Sequence, residues 1–105
     1  MTGVMLECAA SRVPVVIDGF IAGAAALVAA QFELKSVAFM TASHVSQEPG
    51  HIAQLRYLKL EPLFDYGLRL GEGTGALLAF PVLEAAARTL SEMATFAEAS
   101  VPDRE

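Results

Sequence analysis

Val13-Pro14-Val15-Val16-Ile17-Asp18-Gly19-Phe20-Ile21 is the stretch on which the fold turns. Its first half is a short β-branched, apolar run, the pattern of a buried strand, and Asp-Gly stops it with ordinary turn chemistry. Directly beyond, Ala22 to Ala30 is dense in alanine, which favours helix and lets that helix lie close against a sheet. A strand, a tight turn and a close-packed helix imply a crossover to a second, parallel strand.

The rest of the chain extends this unit. Ser36-Val37-Ala38-Phe39-Met40 repeats the strand pattern, with Thr41-Ala42-Ser43-His44 as its polar exit. Pro49 or Gly50 then opens a helix carrying Ile52, Leu55, Tyr57 and Leu58. Glu61 to Tyr66 reads as a third extended segment, weakened by Pro62, which has no N–H to give a ladder. From Gly75 to about Ala97 the spacing of Leu77, Leu78, Val82, Leu83, Ala86 and Leu90 predicts one long amphipathic helix. Pro81 inside it predicts a kink or a late start. Upstream, Val4 to Ala10 is helix-compatible. The fold class is therefore α/β, a small three-layer-like unit of short parallel strands and packed helices. Residues 1–99 form one region and 100–105 a polar tail, with no repeat, low-complexity segment or linker. Three short strands make a narrow sheet whose edges need cover.

Composition removes several functions. The chain has 105 residues, so it fits one small domain. Its net charge is −5 and its lysines are Lys35 and Lys59, which leaves no basic face for nucleic acid or an anionic membrane surface. The longest apolar stretch, Phe20 to Phe32, is too short to span a bilayer, and the N-terminus lacks the basic start of a signal peptide. Cys8 is the sole cysteine, which fits a reducing, cytoplasmic setting, and its apolar neighbours mark it as a buried small hydrophobe rather than a reactive thiol. A hydrophobic content of 54% is high for a domain of this size and points to surface covered by another copy or by further chain, although alanine inflates the figure.

In parallel sheets ligands gather at the carboxyl ends of strands, and three polar clusters fall there: Asp18-Gly19, Ser43 to Gly50, and Gly71 to Gly75. The segment Arg69-Leu70-Gly71-Glu72-Gly73-Thr74-Gly75-Ala76 sets one carboxylate among glycines just before a helix. Free N–H groups at that helix start would face the same space. Glu72 is a candidate general base, because a partly apolar, glycine-lined site raises a carboxylate's proton affinity. It reads equally as an exposed acid favoured at a helix N-terminus. Ser46 can donate its hydroxyl to a phosphate, helped by neighbouring N–H groups, or act as an N-cap. His44 can be a base, but His51 stands seven residues on and no ligand set accompanies either, so no metal and no cofactor are expected. Walker, Rossmann and Ser-His-Asp patterns are absent.

Three blocks, Val13 to Ile21, Ser43-His44-Val45-Ser46-Gln47-Glu48-Pro49-Gly50, and Leu68 to Ala76, follow one another in an order and spacing that resembles the nicotinate-nucleotide–dimethylbenzimidazole phosphoribosyltransferase family, over about Gly3 to Ala99. Met93-Ala94-Thr95-Phe96 agrees as well. The resemblance is to the C-terminal part of that family's chain. It implies a fragment of a larger Rossmann-like phosphoribosyltransferase fold. The implied reaction moves phosphoribosyl from nicotinate mononucleotide to 5,6-dimethylbenzimidazole for the lower ligand of cobalamin. Glu72, in the LGEG(S/T)GA motif, would be the general base, and Ser46, in the SHxSxE motif, would contact the nucleotide phosphate. Leu70, Gly71 and Gly73 would shape the pocket, with Thr74 where serine is common. Family chains are much longer. The preceding region, which supplies most of the benzimidazole pocket, a second glutamate and a phosphate-contacting lysine, is not in this sequence. The expectation is a homo-oligomer, a homodimer in the first instance, whose isolated 105 residues are inactive. A catalytically silent self-associating fragment and a nucleotide-phosphate-binding module are the alternatives.

Overall fold

The computed structural model describes residues 1–69 and 71–100. Its elements are helix α1 (Thr2–Ala10), strand β1 (Val15–Ile17), helix α2 (Phe20–Phe32), a 3₁₀ segment (Leu34–Phe39), strand β2 (Met40–Ala42), and helices α3 (His51–Leu58) and α4 (Thr74–Glu92). The two strands are parallel, with Val15 opposite Met40, Val16 opposite Thr41 and Ile17 opposite Ala42. The α/β class with short parallel strands and packed helices is therefore the observed one.

Small side chains set the packing. α2 turns Ala26, Ala29 and Ala30 inward, and these join Met5, Ile17, Met40 and Leu58 in one buried core. Alanine there keeps α2 near both the strands and α3, so a three-residue strand such as β1 can be covered by a single helix. Cys8 is partly exposed rather than buried.

Two strand expectations need correction. Ser36 to Phe39 is not extended: Glu33 accepts the Lys35 N–H at 2.9 Å through its side chain, and the Ser36 N–H reaches the Glu33 carbonyl at 3.0 Å. That cap winds the chain into 3₁₀ geometry until Met40, so the strand lies over Met40–Ala42 and takes in part of the supposed polar exit. The third extended segment reduces to one parallel bridge between His44 and Phe64. Its ladder starts only after Pro62, where the Leu63 N–H bonds the Ala42 carbonyl at 3.1 Å and the Phe64 N–H bonds the Ser43 carbonyl at 3.2 Å.

α4 starts at Thr74 and runs through Pro81 without a late start, ending at Glu92 rather than near Ala97. Its buried residues are Gly75 and Ala79, while Leu77, Leu78, Phe80, Val82 and Leu90 are exposed. Among the described residues, no helix is long and apolar enough to cross a membrane. The expected polar tail falls, beyond Ser100, outside the described residues.

Candidate functional site

Parallel pairing brings the ends of β1 and β2 side by side, because Ile17 and Ala42 are register partners and the next residues leave the sheet together. The Ser43 hydroxyl ties the two exits. It lies 2.8 Å from the Ile17 carbonyl and 3.0 Å from the Asp18 carbonyl, both of which only accept. Its single hydrogen is thereby committed, so at 2.9 Å from the His44 ring it accepts, and His44 donates from Nδ1. The Nε2 lone pair of His44 is left on the side of Gly19.

Asp18 does more than turn the chain. Its Oδ1 accepts the Ala76 N–H of the first turn of α4 at 2.9 Å and stands 4.0 Å from His44 Nδ1. A strand-end carboxylate thus caps a helix that begins far along the sequence. Gly75 faces the His44 ring so closely that a Cβ there would overlap the imidazole, and this approach is what glycine permits. His44 also stacks on Phe64, with ring centroids 6.3 Å apart, and Phe64 on Tyr66 at 4.9 Å.

These contacts hang the glycine-rich turn over the strand ends. Glu72 has φ +62° and Gly73, the N-cap residue just before α4, has φ +79°. Two successive left-handed residues reverse the chain sharply, and Glu72 carries a side chain where glycine is usual. The Thr74 hydroxyl donates to the Gly71 carbonyl at 2.9 Å and tightens the same turn. The result is a cleft of about 890 Å³ walled by Asp18, Gly19, His44, Ser46 and the turn Gly71–Gly73, with Leu68 and Arg69 beside it.

Of the residues expected from sequence, Ser46, Gly71, Glu72 and Gly73 therefore share one cleft, and Glu72 is exposed on it. Thr74 is not part of the wall. Leu70 lies outside the described residues. The expectation that α4 offers free N–H groups to a ligand is largely overturned. Thr74 N–H bonds the Gly71 carbonyl at 3.3 Å and Ala76 N–H bonds Asp18. Ser46 differs likewise. Its N–H donates to His51 Nδ1 at 2.8 Å, and its Oγ accepts from the Glu48 N–H at 3.3 Å. The hydroxyl hydrogen of Ser46 remains the group it can give to a phosphate. His51 itself is fully buried, and burial together with the nearby His44 lowers its pKa below the ordinary 6.5, against a smaller opposing pull from Asp18.

Asp18, His44 and His51 are the residues organising the cleft that the sequence pattern left underrated. Asp-Gly after a strand is common in ordinary turns, and the partners of both histidines lie on other elements. The only signal was their position, after strands and before helices.

The strand-end cleft under the glycine-rich helix start thus brings the carboxylates of Asp18, Glu48 and Glu72 together with the hydroxyl of Ser46. A family model described as phosphoribosyltransferase matches residues 1–101. The chain belongs to the nicotinate-nucleotide–dimethylbenzimidazole phosphoribosyltransferase family. It is 57% identical over 104 residues to the nicotinate-nucleotide–dimethylbenzimidazole phosphoribosyltransferase of Chloroflexus aurantiacus, an alignment covering 99% of this chain and 30% of that protein. To the enzyme of the same name from Desulforamulus reducens it is 56% identical over 101 residues, covering 96% and 29%. The crystal structure of the Thermus thermophilus protein of that name superimposes with a TM-score of 0.91 at 48% identity, over 98% of this chain and 31% of that one. The chain thus spans about 30% of the length of the curated relatives it matches.

Proposed function

We propose that this chain is the C-terminal, base-bearing region of a nicotinate-nucleotide–dimethylbenzimidazole phosphoribosyltransferase acting in cobalamin lower-ligand synthesis. One benzimidazole nitrogen attacks the ribose anomeric carbon of nicotinate mononucleotide. The bond from that carbon to the nicotinate nitrogen breaks, and nicotinate leaves. Glu72 takes the proton from the other benzimidazole nitrogen, and Ser46 donates its hydroxyl to the nucleotide phosphate. Gly71 and Gly73 flank the base, and Thr74 holds the turn. The observation that carries this reading is the convergence of the Glu72 turn and the Ser46 loop on one strand-end cleft.

The cleft is open in this chain alone, so the 105 residues are inactive without further walls, supplied by preceding sequence or a second copy in a cytoplasmic homo-oligomer. The test grafts this chain in place of the matching region of the Thermus thermophilus relative and follows nicotinate release. An active graft that loses at least ~100-fold in Glu72→Gln supports the reading. An active graft indifferent to Glu72→Gln overturns it.

One observation favours a second reading, a silent self-associating unit. α4 leaves Leu77 66%, Phe80 55% and Leu90 90% exposed, an apolar stripe without cover. Concentration-dependent association of a chain that does not respond to nicotinate mononucleotide would favour it.

A further inference from the structure

His51 plays no part in the chemistry above, and the role assigned to it here rests on Ser46 being the phosphate contact. His51 is the first residue of α3 and is 0% exposed. Its Nδ1 lies 2.8 Å from the Ser46 backbone nitrogen. A backbone N–H can only donate, so Nδ1 must accept, and the neutral ring carries its proton on Nε2. His44 has the opposite arrangement, donating from Nδ1 to the Ser43 hydroxyl. The two rings lie 6.1 Å apart, so one small cluster holds both neutral tautomers.

The chain just before Ser46 is tied by the Val45 N–H to the Phe64 carbonyl at 3.2 Å, and beyond that residue the remaining bonds are local. Ser46 Oγ accepts from the Glu48 N–H at 3.3 Å, and the His51 N–H bonds the Glu48 carbonyl at 3.0 Å, both within the same turn. The His51 ring is thus the partner that fixes the backbone of Ser46 itself to a buried point of the core. We propose that His51 is the positioning residue of the phosphate contact, and that Ser46 is correctly placed only while the His51 ring is neutral. A second proton would go to Nδ1 and face it with the Ser46 N–H, donor against donor, and the loop would have to leave its position.

The surroundings keep that from happening near neutral pH. The titratable groups facing His51 are His44, beyond β2, and Asp18, beyond β1. α2, packed against its other side through Gly23, contains no ionisable side chain. Among the described residues, His51 Nε2 and Gln54 Oε1, one turn on, are both buried without a hydrogen-bond partner, and the weaker pull of Asp18 does not offset the cost of a charge on the ring. Burial and His44 place the folded pKa below the ordinary 6.5. Between the folded and the unfolded value only the unfolded chain carries the proton. Folding stability from this group is therefore complete above about pH 6.5 and is lost as pH falls toward the folded pKa.

The experiment is a pH titration of this ¹⁵N-labelled chain by NMR, reading the imidazole nitrogens and the Ser46 amide together. The expected result is a His51 ring protonated at Nε2 near neutral pH, a His44 ring protonated at Nδ1, and a Ser46 amide that moves with His51's pKa, below 6.5. A Ser46 amide that ignores His51, or a His51 ring protonated at Nδ1, would overturn the proposal. In the grafted enzyme, His51→Phe should raise the KM for nicotinate mononucleotide about tenfold or more. His51→Asn, whose side-chain oxygen can accept the same N–H, should restore it and remove the extra loss at low pH. The nucleotide phosphate's own titration is common to both variants and cancels in their ratio. An unchanged KM in His51→Phe would overturn the role in phosphate positioning. A graft with no turnover under any condition speaks instead against the proposed function, and the NMR titration still decides the link between His51 and Ser46.

Discussion

The strand-end half of the molecule and helix α4 are built on opposite terms. Around β1, β2, α2 and α3 the inward side chains form a core in which Ile17, Ala26 and Ala29 are 0% exposed, and polar groups at the strand ends are bonded across elements, while Ile21, Phe32 and Tyr57 stay exposed on the outer faces. α4 has 19 residues and buries Gly75 and Ala79 among them. It is gripped at its first turn, by Asp18 on the Ala76 N–H and by the fit of Gly75 to His44, and its apolar stripe beyond faces outward. The first half closes around a core of its own, with apolar residues still exposed on its outer faces; the second is an arm whose stripe is patterned for a surface it does not find within the described residues. Glu72 sits at the joint between them. Its position is therefore set by the closed half, through residues that need never touch a substrate.

Substitutions on the two sides of that joint put the contrast to the test. The largest effect belongs to the core: Ile17→Ala should cost about 3 kcal/mol in urea unfolding, from lost burial plus the cavity left behind. Leu90→Ala, on the bare stripe, should stay within about 0.5 kcal/mol in the same assay. A comparable loss at Leu90 would mean that α4 packs in solution against something this chain supplies. Next is Gly75→Ala, whose new methyl meets the His44 ring. Despite the better helix propensity of alanine, we expect about 2 kcal/mol of destabilisation and faster amide exchange through Thr74–Ala79. Gly71→Ala, where nothing lies within 4 Å of the added carbon, is the control for that substitution. Smaller than either core or glycine change is Asp18→Ala, which removes a cap and should cost about 1 kcal/mol. Its loss of exchange protection should be confined to the start of α4, leaving α2 and α3 as they were. Loosening spread over the whole chain would show that the two halves are not separable in this way.

Much of the closed half was legible in the sequence. β-branched Val15 to Ile17 and alanine-dense α2 are patterns that local chemistry enforces, so the parallel α/β class followed from them. The residues proposed for the chemistry, Glu72 and Ser46, stood out because glycines and a helix start flank them, and the resemblance carried by their motifs named the family. The boundaries were less readable. Ser36 to Phe39 has strand composition, yet the Glu33 cap decides for a 3₁₀ turn, and Pro62 limits the third extended segment to a bridge at Phe64.

The alternation of elements and the family could be read from the chain, as could the two residues proposed for the chemistry, because each rests on short-range pattern and on motif. Three things waited for the folded molecule: which N–H groups are already spent, which tautomer each histidine holds, and how Asp18 and His51 fix the loops that bear Glu72 and Ser46. Those facts depend on partners brought together from different elements across a buried interface, such as Asp18 with Ala76 or Ser43 with Ile17. Their spacing along the chain carries no trace of the contact, since it arises from the parallel register of β1 and β2 and from the close approach that Gly75 allows.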